Sequence, residues 1–124
     1  MHISRNYLII GSLYLVLGIF LGMYMGGSGD HSLAPLHAHI NLLGFALMTL
    51  FGILYRVIPA MADSVLARVQ FWLHQIGAVV LLVMLFLLLS GRITEAAMVP
   101  ITPLAEFLVL LSVLAYAVNL WRSA

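Results

Sequence analysis

The stretch Pro35-Leu36-His37-Ala38-His39-Ile40-Asn41 places two imidazoles in otherwise apolar surroundings. Imidazole is the commonest metal ligand, and its charge changes near neutral pH. The pair therefore points to metal, haem or proton chemistry. In a helix of 3.6 residues per turn, His37 and His39 stand about 200° apart. They face opposite sides and do not share one ion while the helix stays regular. Each is free to bind something at a separate interface, and the small Ala38 leaves the backbone between them open. A nearby helix N-terminus favours the neutral imidazole, which is the form that ligates metal.

The chain has five histidines. His2, in the N-terminal tail, has no expected role. His31 follows Asp30 in a Gly-rich turn. It is either a solvated loop residue or a third ligand, with His37 and His39, for copper or zinc. His74 lies near the opposite end of its own helix. With about 30 Å of hydrocarbon between the two ends, it is too distant to share a ligand with His37 and His39. An interhelical hydrogen bond, with neighbouring Gln75 as one partner, is the expected role. Glu106 falls at the level of His37 and His39. It is expected to hydrogen-bond a ligating imidazole, to handle protons, or to snorkel from a helix end. Asn41 and Gly44 are further candidate cofactor contacts. The absence of Cys excludes disulfides, iron–sulfur clusters, thiolate sites and covalent haem attachment through C-x-x-C-H. The seven methionines are scattered and read as packing filler.

The elements that position these residues follow from composition. A soluble domain of 124 residues carries roughly 31 charged side chains, whereas this chain has five Arg or Lys and four Asp or Glu. It is 65% hydrophobic, with a mean hydropathy of +1.18. No soluble interior of this size hides so much apolar surface. Soluble globular, disordered, collagen-like and nucleic-acid-binding classes are excluded. The solvent is a bilayer.

Four stretches approach the roughly 20 apolar residues that a crossing needs: 7–25, 35–57, 69–90 and 98–121. The fold class is therefore all-α, an integral membrane four-helix bundle forming one domain over 1–124. The first stretch exceeds a usual signal-peptide core and is read as a retained helix. Gly26 to Asp30 forms the first turn, Ser32 is expected to cap the second helix, and Pro35 sits in its first turn. Pro59 with Asp63 ends the second span, and Ser90-Gly91-Arg92 ends the third. Gly18 and Gly22 form a G-x-x-x-G step suited to close helix packing. Arg5, Arg56, Arg68 and Arg122 fall on one side and only Arg92 on the other, so both termini are expected in the cytoplasm. Tyr7, Tyr55, Trp72 and Trp121 are expected at the membrane interface.

At the second and third spans the chain resembles the haem-copper oxidase catalytic subunit, and most closely its branch of C-type oxidases and nitric oxide reductases. Pro35-Leu36-His37, with the helix end Tyr55-Arg56-Val57-Ile58-Pro59, is similar to helix II of that subunit. His37-Ala38-His39 is similar to helix X, where two such histidines serve two different haems. Phe71-Trp72-Leu73 with Ile76-Gly77 is similar to helix XI. That subunit has three pseudo-symmetric groups of four helices, and this chain resembles one such group. The resemblance implies a homotrimer of twelve helices in a bacterial inner membrane. Its cofactor is a non-covalent b-type haem, held between His37 of one protomer and His39 of the next. Arg92 is the implied partner of the haem propionates, and a quinol or a cytochrome is the implied redox partner. Nothing resembles the adjacent His-His pair or the cross-linked Tyr of the oxygen-reducing centre, so oxygen reduction is not expected. A copper or zinc protein serving metal handling or respiratory-complex assembly stands as one alternative. A haem-free accessory subunit stands as another.

Overall fold

The computed structural model describes residues 1–123. It is helical throughout, with four helices long and apolar enough to cross a membrane. The first, α1 (Ile3–Ser28), has 26 residues and so measures about 39 Å. It stops at Gly29, whose φ of 72° lies in the left-handed region. The Gly29 N–H closes back on the Met25 carbonyl at 3.0 Å. Only glycine reaches that conformation without a steric cost.

The second crossing is one rod, Ala34–Val57, in three parts. It begins as α2 (Ala34–His39), continues as a π-helical segment (Ile40–Ala46), and ends as α3 (Leu47–Val57). Pro35 stands in the first turn, as expected. The expected Ser32 cap is corrected: Leu33 occupies the cap position without a side-chain bond. The Ser32 N–H instead donates to the Asp30 carboxylate at 3.0 Å. This local turn competes for Ser32 before the helix starts.

The rod stops at Ile58, because the residue before a proline disfavours helical backbone. A single turn, α4 (Pro59–Ala62), leads to α5 (Val65–Leu89), where the Ser64 hydroxyl caps the Ala67 N–H at 3.2 Å. A 3₁₀ turn (Ala96–Met98) precedes α6 (Ile101–Ser123). The fourth crossing thus starts after Pro100 and not at Met98. The other helices run past their apolar windows, since backbone pairing continues beyond the hydrophobic residues.

Two helical hairpins make up the bundle: α1 packs along the rod, and α5 packs along α6. They join at the end that holds both termini. Tyr7, Phe51, Tyr55, Met61 and Phe71 form one buried core there. At the far end a smaller cluster of Leu36, Ile40 and Leu82, with Leu21, Leu33 and Phe86 packed against it, joins the hairpins beside a cleft between them.

Candidate functional site

His39 ends α2 and is exposed on the outer surface of the rod. Its Nδ1 lies 2.7 Å from the Pro35 carbonyl one turn back. A carbonyl can only accept, so Nδ1 carries a proton, and in the neutral ring the lone pair is then on Nε2. An imidazole tied to a backbone carbonyl through one nitrogen and open at the other is the arrangement that metal-ligating histidines adopt.

His37 turns the other way. It is half-buried, and its Nε2 lies against Gly22 of α1, 3.1 Å from where a β-carbon there would be. The opposed directions expected from the spacing are therefore present. Asn41, one turn further, presses on Gly18 in the same way, so the G-x-x-x-G step receives His37 and Asn41 in turn. The Asn41 Oδ1 is buried without a hydrogen-bond partner.

Gly44 is covered by the Tyr14 ring. Asn41 and Gly44, the two expected cofactor contacts, both face α1, where small residues let the two helices touch backbone to side chain.

The π segment follows the histidine pair directly. The Leu47 N–H bonds to the Leu42 carbonyl five residues back, so the Leu43 carbonyl lacks its α-helical donor. His74, fully buried on α5, donates to that carbonyl from Nε2 at 2.9 Å. An interhelical hydrogen bond was expected, and its partner is Leu43. Gln75 makes only a 3.5 Å contact to the Met48 sulfur.

The remaining candidates lie apart. His31 is exposed and its Nδ1 bonds to the Gly29 carbonyl at 3.1 Å. Glu106 is exposed on α6, and the hydrogen bond of His39 goes to Pro35 instead. Arg92 lies over the Phe86 ring, 5.2 Å from its centroid. It lines a cavity that neither His37 nor His39 reaches. Among the described residues, no three histidine or carboxylate side chains gather around a point that could hold a metal ion. A copper or zinc site of His31, His37 and His39 is not assembled within one protomer.

No family model, curated protein or solved structure matches this chain.

One polar cluster escapes a reading by type and spacing. The Tyr7 hydroxyl donates to Gln70 Oε1 at 2.6 Å, and the Tyr55 hydroxyl donates to the same oxygen at 3.0 Å. Gln70 Nε2 donates to Ser112 at 2.9 Å. Ser112 returns a bond to the Gln70 carbonyl at 3.0 Å. Four crossings meet at this amide. Tyr7 and Tyr55, expected at the membrane interface, are almost wholly buried and stack at 6.0 Å. Trp72 and Trp121 are exposed, as interface anchors require. The signal for the cluster was present: polar side chains within apolar helices seek partners on other helices.

Proposed function

We propose that this chain is a membrane-embedded b-type haem protein, built like one four-helix group of a haem-copper oxidase subunit. Its role is electron transfer, or redox or gas sensing, with a quinol or a cytochrome as partner. The observation that carries this reading is His39. Its proton is held by Pro35, and its Nε2 lone pair is left free on an exposed surface of the rod. The sequence resemblance and the opposed direction of His37 support it further.

His39 would hold the haem through its Nε2, and His37, on the opposite face, would hold the haem of the neighbouring protomer in a closed ring of three. The His37 Nε2 packs on Gly22, so that side chain would rotate to take up this role. Held by two imidazoles, bound haem would supply a reversible one-electron couple. The propionate role expected for Arg92 gains no support from its separate cavity. The excess of Arg5, Arg56, Arg68 and Arg122 at the end that holds both termini supports a cytoplasmic side for that end, in a bacterial inner membrane.

The test is the absorption spectrum of the purified, detergent-solubilised protein. A Soret band with split visible bands on dithionite reduction is the expected result. A colourless preparation that carries copper or zinc overturns the reading in favour of a metal site. A colourless, metal-free preparation from haem-replete cells overturns it in favour of a scaffold subunit.

A further inference from the structure

The cleft between the two hairpins has an apolar floor of about 410 Å³, lined by Leu17, Leu21, Leu36, Leu82 and Val83. That volume lies within the range of ligand sites, about 300–1,000 Å³. At the far end a second cavity of about 480 Å³ lies beside the cleft, and Leu33 and Phe86 line both.

The second cavity is mixed in character, with Arg92, Asp30, Ser32 and Tyr24 lining it beside Phe86 and Leu89. Asp30 accepts the Ser32 N–H, and this bond, above all, holds its carboxyl below the usual carboxylate range. Arg92 rests on the Phe86 face, whereas Asp30 is tied to the Ser32 N–H of its own turn. The mouth of the apolar cleft therefore offers a guanidinium and a carboxylate, each held by its own loop. Both stand on the loops that flank the helix ends, at headgroup level in a bilayer.

We propose that the cleft and the cavity beside it together hold one phospholipid with a phosphoethanolamine head. One acyl chain lies along the Leu17–Leu36–Val83 floor, the phosphate meets Arg92, and the primary ammonium meets Asp30. The charge pattern selects a zwitterionic head, because a lone anionic head would satisfy Arg92 and leave its negative charge beside Asp30. A primary ammonium, unlike a quaternary one, also donates hydrogen bonds to the carboxylate. Neither His37 nor His39 lines either cavity, so the lipid site stands or falls independently of haem.

The full-length protein, stripped of lipid in detergent, is titrated with phosphatidylethanolamine or phosphatidylglycerol of identical acyl chains. Native mass spectrometry then counts the lipids retained. The expected result is one phosphatidylethanolamine per protomer, preferred over phosphatidylglycerol. Arg92→Gln lowers retention of both about tenfold, as loss of a charge-assisted bond should. Asp30→Asn abolishes the preference between heads, and Val83→Trp, which fills the floor, removes retention. Circular dichroism and elution volume confirm folding; Arg92 and Asp30 are exposed loop residues, so their variants carry the test if Val83→Trp misfolds. Equal retention of both lipids, unchanged by Asp30→Asn, overturns the proposal in favour of unselective annular lipid. A preference for phosphatidylglycerol overturns it as well, as does retention that a folded Val83→Trp protein leaves intact.

Discussion

The Nε2 of His74 stands 2.9 Å from the main-chain oxygen of Leu43, joining α5 to the π segment that follows His39. The imidazole packs edge-on against Phe51, with centroids 5.4 Å apart at 84°, and its Nδ1 is buried without a partner. The bond places a donor from α5 opposite a carbonyl of the π segment that lacks its α-helical donor. His74 thereby fixes how the rod bearing His37 and His39 sits on α5, without itself facing outward.

His74→Ala should therefore act on stability. Leaving the Leu43 carbonyl unsatisfied costs about 1–3 kcal/mol, and the lost ring adds a cavity. Thermal unfolding in detergent, followed by circular dichroism, should show a clear drop in melting temperature. The Soret absorbance per folded protein should be unchanged. A loss of haem without a loss of stability would make His74 a ligand.

His39→Ala should remove haem and His37→Ala should severely reduce it, both with unfolding temperatures near that of the haem-free wild type. Because the rings oppose each other on one helix, each haem needs two chains. Co-assembling the two variants should recover part of the haem that neither binds alone, and haem should equal protomers in number. A haem-loaded monomer measured by light scattering would refute the shared site.

Gly44→Ala should destabilise by about 1–3 kcal/mol, the usual cost of overpacking. The added β-carbon would enter the Tyr14 ring. Tyr14→Ala should relieve that clash, so the double variant should be more stable than the sum of the single effects. An additive cycle would mean that the π segment shifts freely away from α1.

Gln70→Leu should cost about 1–3 kcal/mol for each buried hydroxyl left unpaired. Tyr7, Tyr55 and Ser112 all lose bonds to the side-chain amide. Tyr7→Phe should cost less, because Tyr55 still satisfies the same oxygen. Melting temperatures of the two variants check the order, and a reversed order would show that the amide is dispensable.

The four crossings were legible from composition, because transferring so many apolar residues out of water dominates every other term. Local chemistry also marked several helix ends: the first by the glycine-rich turn that holds Gly29, the second by Pro59. The opposed directions of His37 and His39 needed only helical spacing. What each one meets did not follow from spacing.

Helices that are apolar all round carry little periodicity to say which face turns inward. In lipid, small and polar residues settle that choice through their partners on other helices. Tyr7 and Tyr55 look like interface residues along the chain, and they are buried because Gln70 and Ser112 arrive from α5 and α6 to receive them. Gly44 reads as an open backbone position until Tyr14 covers it. The π segment is stabilised by a donor 31 residues away, so nothing in Ile40–Ala46 alone announces it. Hydrophobicity is a local property of the chain, whereas the pairing of backbone and polar groups across helices exists only once those helices have met.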